Sequence, residues 1–598
     1  MTSTGIESHG RTMASLARDC AERYPDEVAA RYRDGDGWAD VTFAELDERV
    51  NDLAMGLIGL GVQAGDRVSV LADTRFEWTV VDLAISACGA VVVPIYASNS
   101  PKECAWVLGD SGARVVICEN PAAMAKIDEV RGELDALEHV VLIDGSADGV
   151  STIADLADRG GSSGEASELE AELNRRIDAV GAKDPYLIIY TSGTTGRPKG
   201  VVLAHDGFAE GRSIITELEL IGPGDVAYLY LPLAHVFAQV IQAVVLEVGS
   251  TLAFWGGDTG QIIAELAEVQ PTVFPSVPRI FEKIYTMATG MVEEDQRADF
   301  DRAVEVGCRV HDARRRGAPV SDEDEAVLAA ADEKMFGLVR GLFGGKMRFA
   351  ISGAAPIAPE ILRFFYAAGA PVLEGWGMTE TSALGTVNLP DSYKFGTIGP
   401  AQPGVEMRID EHGEILIRGA VVFEEYWNNP EATKEAIDDD GWLHTGDLGS
   451  VDEDGFFSIT GRTKDIIITA GGKNLTPANL EGDLRASRWV SQAVMYADRK
   501  PYPVALITLD PETVVPWAQE NGLTSEVPEL ADHEDVRALI QAELDTANAH
   551  YARAEQIKRF VILPDDFTQE SGELTPTLKI KRNVVYDKRA DDIERLYE

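Results

Sequence analysis

Apolar residues recur every three to four positions over residues 13–63, most regularly in the stretch FAELDERVNDLAMGLIGLG at 43–61. That period predicts an amphipathic helix, with Gly61 standing where a C-cap glycine belongs. From residue 67 to about 144 the period changes. Short β-branched runs at 68–71, 91–95, 115–117 and 140–143 are separated by helical segments, which predicts parallel strands covered by helices. The most apolar stretch, 83–97, follows Asp82 and is interrupted by Gly89 and Pro94. It reads as a buried helix running into a strand, too short to span a bilayer. Residues 158–182 are polar and Gly/Ser-rich, then helical and charged, and read as a surface connection. The α/β alternation resumes from 186 to about 280. Residues 285–346, rich in Asp, Glu, Arg and Ala, predict a helical insertion. Short strands dominate 347–460, with DEHGE and DEDGF turns suited to hairpins. Beyond Gly461 the texture becomes that of a smaller α+β unit.

A chain of 598 residues is too long for one hydrophobic core. The pattern divides it at 1–461 and 462–598. The fold class expected is α/β: a large N-terminal domain of helix-covered β-sheets with a small β-barrel-like part, and a small α+β C-terminal domain. The net charge of -47 argues against nucleic acid, because phosphate binding needs Lys and Arg. Five cysteines at 20, 88, 104, 118 and 308 show no CxxC pair, and the nine histidines do not cluster. That fits a reducing compartment without disulfides or a zinc site. No apolar h-region marks the first 20 residues, so no secretory signal is expected.

The strongest local signal is YTSGTTGRPKG at 190–200, fed by an apolar run at 186–190. Gly193, Gly196 and Gly200 allow backbone N–H groups to approach an anion closely. Thr191, Ser192, Thr194 and Thr195 add hydroxyl donors, and Lys199 adds a cation. The spacing is not that of a Walker A loop, since Lys199 precedes Gly200 and then an apolar strand-like run. The string resembles the phosphate-binding signature of the adenylate-forming superfamily of acyl-CoA synthetases, peptide-synthetase adenylation domains and luciferases.

Further blocks in the same order extend that resemblance over roughly residues 20–590. SGAAP at 352–356 contains Gly353 and Ala354, which the resemblance places against adenine. EGWGMTE at 374–380 contains Glu374, Gly375, Trp376, Gly377, Thr379 and Glu380. The resemblance implies an indole that stacks on the purine, a phosphate-contacting threonine, and Glu380 as a magnesium ligand, a hard carboxylate for a hard cation. TGD at 445–447 brings Asp447, and GRTKD at 461–465 brings Arg462 and Lys464. These correspond to the two ribose contacts and to the hinge on which the C-terminal domain would move.

Near the C-terminus stands LTPTLKIKR at 574–582. Making an acyl-AMP brings a carboxylate to an anionic phosphate, so a cation is required. The resemblance assigns Lys579 to this role, although Leu578 replaces the glycine of the commoner form. In an extended segment Lys581 would point to the same side, and geometry from sequence leaves both open. LPLAHVF at 231–237 resembles the block lining the acyl pocket, with His235 beside the acyl carbonyl, and it lacks the aspartate of amino-acid-activating relatives. Gly471, Gly472 and Lys473 resemble the loop that lines the coenzyme A tunnel. PSVPRIFEKIY at 275–285 and the ending TPTLKIKR resemble the long-chain fatty acyl-CoA synthetases.

The activity implied is an ATP-dependent, Mg2+-assisted long-chain fatty acid:CoA ligase in the cytoplasm, acting on fatty acid, ATP and coenzyme A without a transmembrane segment. Peripheral membrane contact and a homodimer are both compatible with it. The alternatives are a fatty acyl-AMP ligase that loads a carrier protein, and an aryl or medium-chain carboxylate CoA ligase.

Overall fold

A computed structural model describes residues 12–162, 166–191, 197–290, 292–470, 474–575 and 579–598. The four β-branched runs become strands Arg67–Leu71, Val91–Ile95, Val115–Cys118 and His139–Leu142, all in one parallel array. Strand Pro185–Thr191 joins it in parallel beside Val91–Ile95, and Lys199–Ala204 and Glu425–Tyr426 close that edge antiparallel, giving an eight-stranded sheet. A second eight-stranded sheet runs from Thr386–Val387 through Val372–Trp376, Phe349–Ser352, Val273–Ser276, Val226–Leu229 and Thr251–Phe254 to the hairpin Val28–Asp34 and Gly37–Thr42. Helices Phe43–Gly59, Phe76–Ala87 and Val236–Glu247 share one apolar core with strands of both sheets. Phe76–Ala87 followed by Val91–Ile95 is the buried helix-to-strand unit that the apolar stretch predicts. Among the described residues no helix is long and apolar enough to cross a membrane.

The described part of residues 158–182 is helical and largely exposed, and it packs more closely than a plain connection would. Its helices are Ile153–Ser162 and Ala166–Ala179, with Leu173, Arg176 and Ile177 buried. A Cβ on Gly56 would lie 2.2 Å from the Leu156 carbonyl oxygen, and one on Gly160 would lie 2.4 Å from that of Asp52. The glycines that look like linker composition are there for close packing of two helices.

The 285–346 stretch is helical as expected, in Arg297–Arg315, Asp322–Ala331 and Gly337–Leu342 with a π turn at Asp332–Phe336. Its Phe300 and Phe336 rings pack against Phe364. Turns at Gly413 and Gly455, both at positive φ, close hairpins in a five-stranded antiparallel sheet over residues 399–462. From residue 467 onward two further apolar clusters form around a three-stranded sheet, Val490–Tyr496, Val504–Leu509 and Arg559–Ile562. This unit meets the helix Pro278–Gly290 through the ion pairs Arg279–Asp510 at 3.1 Å and Lys283–Glu512 at 2.7 Å. All five cysteines are free and buried.

Helix His205–Leu218 is tied to Val236–Glu247 by Arg212, whose Nε donates to Glu247 Oε2 at 2.6 Å with both side chains 3% exposed. Removing the carboxylate leaves a buried guanidinium with only Asp19, 4.0 Å away, as counter-charge. Glu247→Ala should therefore destabilise by about 3–5 kcal/mol, read as an earlier first transition in thermal unfolding. A midpoint equal to wild type would refute this.

Candidate active site

The strands flanking the phosphate-loop string are paired antiparallel. Strands Pro185–Thr191 and Lys199–Ala204 pair so that Thr191 faces Lys199 at its mouth. Ser192, Gly193, Thr194, Thr195 and Gly196 lie outside the described residues. A strand follows the loop, as the sequence indicates, so no helix dipole aims at it. Lys199 Nζ sits 4.6 Å above the centre of the Tyr426 ring, a cation–π contact. The Tyr426 hydroxyl donates to Glu380 Oε1 at 2.7 Å. Tyr426 thus links the loop lysine to Glu380. Sequence reasoning missed it, because the link exists only when strand Glu425–Tyr426 pairs with the strand that starts at Lys199.

The 353–380 elements converge beside this loop. Strands Phe349–Ser352 and Val372–Trp376 are parallel neighbours, which brings Gly353 and Ala354 close to Glu374 and Gly375. Ala354 sits at φ 68°, a left-handed conformation that costs a non-glycine residue energy. A Cβ on Gly353 would stand 3.6 Å from the Phe237 ring, and one on Gly377 would collide with the Ala383 carbonyl carbon at 2.3 Å. Thr379 and Glu380 are buried in the short turn that follows. Ser382 and Ala383 continue it at φ 52° and 61°. Glu374 turns its carboxyl toward the Ile357 and Gly396 amides. Burial, with Oε2 lacking a hydrogen-bond partner, pushes it up to about 8.

Asp447 and Arg462 are direct cross-strand partners. Arg462 Nε lies 2.6 Å from Asp447 Oδ1, and the Trp376 indole N–H donates to Asp447 Oδ2 at 2.9 Å. The three residues proposed for ribose and adenine are thereby locked together, with Asp447 almost wholly buried.

Lys579 comes to this cluster from the C-terminal unit. Its backbone closes a tight turn: Thr575 N–H donates to the Lys579 carbonyl at 2.8 Å, and Lys579 N–H donates to Thr575 Oγ1 at 2.9 Å. Lys581 instead pairs its N–H with the Glu573 carbonyl and starts the helix Arg582–Lys588. Leu574 and Ile580 bridge antiparallel, so both lysines stay on one paired segment, and what marks out Lys579 is that Arg462, Asp447 and Glu380 act on its ammonium. Solvent still reaches Lys579, yet the cleft walls surround it. Desolvation, and then the Arg462 charge, push its ammonium down to about 8 against the opposing pull of Asp447 and Glu380.

His235 caps the helix Val236–Glu247, and its Nδ1 accepts the Phe237 N–H at 3.1 Å. Burial and the Lys579 charge push the imidazole down to about 3. It is therefore neutral, with its proton on Nε2. It can donate a hydrogen bond but has no free lone pair with which to take a proton. Lys464 is exposed in the turn Thr463–Asp465 that follows Arg462. Gly471, Gly472 and Lys473 lie outside the described residues.

Among the described residues no group of three or more His, Cys, Asp or Glu could hold a metal. Magnesium is nevertheless commonly held by one or two carboxylates plus substrate phosphates. Glu380 fits that donor set, fixed through one oxygen by Tyr426 and close to the phosphate-loop lysine.

The AMP-binding enzyme family matches residues 17–427, and the AMP-binding enzyme C-terminal domain matches residues 464–598. The chain belongs to the AMP-binding enzyme family. This AMP-binding enzyme is 42% identical over 571 residues to the long-chain-fatty-acid–CoA ligase FadD15 of Mycobacterium tuberculosis, covering 94% of this chain and 92% of that one. It is 30% identical to the long-chain-fatty-acid–CoA ligase ACSBG2 of Xenopus laevis, covering 98% and 84%. Among solved structures, ATP-bound MatB of Rhodopseudomonas palustris superposes with a TM-score of 0.69 at 26% identity, covering 97% and 99%.

The lowered Lys579 makes a chemical prediction. In nucleotide-free protein at about pH 8 a large share of this amine is neutral. An amine-selective acylating reagent should label it ahead of the exposed Lys102, as read by peptide mass spectrometry. Labelling at an equal or slower rate would contradict the placement.

Proposed function

We propose that this AMP-binding enzyme is an ATP-dependent long-chain fatty acid:CoA ligase that works through an acyl-AMP. The observation that carries the adenylating half is the meeting of Lys579 with Asp447, Arg462, Glu380 and His235 in one cleft. The long chain and the coenzyme A acceptor are supported by what the FadD15 and ACSBG2 relatives are named for.

In the first step a carboxylate oxygen of the fatty acid attacks the α-phosphorus of ATP. A C(O)–O–P bond forms, the α–β bridging bond breaks, and pyrophosphate leaves. Lys579 and Lys199 offset the negative charge that gathers there. Neutral His235 donates through Nε2–H to an acyl oxygen and orients it. Asp447 and Arg462 hold the ribose against Trp376. Magnesium, when bound, would neutralise phosphate charge, and Glu380 would hold it.

In the second step the coenzyme A thiolate attacks the acyl carbon. A C–S bond forms, the C–O bond to phosphate breaks, and AMP leaves. With Nδ1 engaged by Phe237, His235 cannot take the thiol proton, which passes to solvent. The same cleft must first hold a nucleotide polyanion and then admit a thiol. Withdrawal of the Lys579 turn by a pivot at Lys464, with 1–461 and 462–598 as the two bodies, resolves that conflict. Gly471–Lys473 would then line the thiol's path.

The test is AMP and pyrophosphate release with Mg-ATP and a ladder of fatty acids, each with and without coenzyme A. Turnover of long acids that requires coenzyme A is expected. Pyrophosphate release with accumulating acyl-AMP, indifferent to coenzyme A, would indicate an acyl-AMP ligase instead. Lys579→Ala should slow adenylation by about 10²–10³-fold and leave thioester formation from supplied acyl-AMP intact. Equal loss in both halves would overturn the assignment. Because the ammonium is the active form, adenylation should fall as pH rises through about 8.

A further inference from the structure

Asp82 lies in the helix Phe76–Ala87 and is wholly buried. Among the described residues the side chains acting on its carboxyl are Tyr186 and Gln242, neither of them a cation. Gln242 Nε2 donates to Asp82 Oδ2 at 2.6 Å, while its Oε1 accepts from Thr79 Oγ1 at 2.6 Å. Gln239 Nε2 donates to the Leu233 carbonyl at 2.9 Å. That bond fixes the amide and turns Gln239 Oε1 toward Tyr186.

The Tyr186 hydroxyl has one proton and three acceptor oxygens around it. They are Asp82 Oδ2 at 2.8 Å, Asp82 Oδ1 at 3.0 Å and Gln239 Oε1 at 3.2 Å. If Asp82 is ionised, the tyrosine proton points to the carboxylate. The hydroxyl oxygen then faces the Gln239 oxygen with no hydrogen between them. If Asp82 carries a proton on Oδ1, it donates to the tyrosine oxygen, and the tyrosine donates to Gln239. Every contact in the chain is then satisfied. Counting hydrogens favours the neutral acid.

We infer that Asp82 is a positioning residue for the adenylation step, a neutral acid that orders Tyr186 and Gln239 and through them the 233–235 turn presenting His235. This rests on the role given to His235 above. The Gln239 side chain holds that turn at Leu233, and the Gln239 backbone N–H donates to the His235 carbonyl at 3.2 Å in the first turn of the helix. Thr74 pins the same turn from the other side, donating to Leu231 O and accepting from Leu233 N.

Burial agrees with the hydrogen count, pushing the Asp82 carboxyl up to about 7. The surrounding groups leave the titration to Asp82. From strand Pro185–Thr191 comes Tyr186, held protonated by burial. From helix His205–Leu218 comes the His205 ring, 5.3 Å from that of Tyr186. Burial pushes it down to about 4, and its Nδ1 accepts from Met13 N. Helix Val236–Glu247 contributes the uncharged Gln239 and Gln242, with Glu247 engaged by Arg212. From helix Phe43–Gly59, Arg49 covers the Phe76 ring and does not act on Asp82.

Asp82→Asn supplies a permanent N–H donor where the acid has a titrating one. Apart from the band of Glu374, which titrates at about 8, the wild type should show an infrared band of a buried carboxylic acid that fades between about pH 6 and about pH 8, around the midpoint near 7. Asp82→Asn should lack the band. Across the same interval wild-type kcat/KM for the fatty acid should drop about tenfold, the weight of one buried hydrogen bond. Asp82→Asn should keep the low-pH value until Lys579 titrates, and Tyr186→Phe should lose about tenfold at low pH with KM for ATP unchanged. Absence of the band, a wild-type pH profile in Asp82→Asn, or a uniform loss in that variant would each overturn the proposal. Protein that shows the band but makes no acyl-AMP with any acid would overturn the functional reading and this one with it. Adenylation without the band would overturn this one alone.

Discussion

Opposite charges have to alternate inside one narrow cleft for this protein to work. Lys579 and Arg462 repel one another, and Asp447 and Glu380 make their approach tolerable. Asp447 is committed to Arg462 and to the Trp376 indole, and Glu380 is committed to Tyr426. Each acid therefore has fixed geometry before any substrate arrives. A preorganised array of this kind costs no rearrangement when charge develops. The two large sheets can be understood as the frame that brings the edge strand of one, Glu425–Tyr426, and the end of the other, Val372–Trp376, to the same place.

Lys579 belongs to a different layer of the design. It is carried on a turn closed by Thr575, supported by a core that draws on residues from 467 onward. The ion pairs that tie this unit to Pro278–Gly290 are largely exposed, and exposed pairs contribute little. Held by weak contacts at its rim and by charge alternation in the cleft, the second unit can be firm in itself and lightly attached.

Much of this was legible in the sequence, for a physical reason. The phosphate-loop string, the 374–380 turn and the Thr445–Asp447 segment are each made by one continuous stretch, so their glycines, hydroxyls and charges stand together in the chain. The four parallel strands were legible because burial on both faces leaves an apolar run. What escaped depends on contacts between distant segments. Tyr426 acquires its role by strand pairing with Lys199–Ala204. Lys579 is told from Lys581 only by the distant residues Arg462, Asp447 and Glu380 that act on it. The glycines near 160 imitate a linker, because composition alone cannot tell freedom of the backbone from close packing. The Asp82 chain joins residues from three elements and has no sequence signature at all.

The five buried cysteines carry a further consequence. Their thiols are raised to about 11 for Cys104 and Cys308 and about 12 for Cys20, Cys88 and Cys118, mainly by burial. Disulfide exchange requires a thiolate with access to its partner. The acceptor proposed above is a soluble thiol, and such a thiol is accompanied by its oxidised dimer. With its own sulfur both hidden and protonated, this protein presents no thiolate to attack such a disulfide, and the proposed acceptor's oxidised form has no route to a mixed disulfide with it.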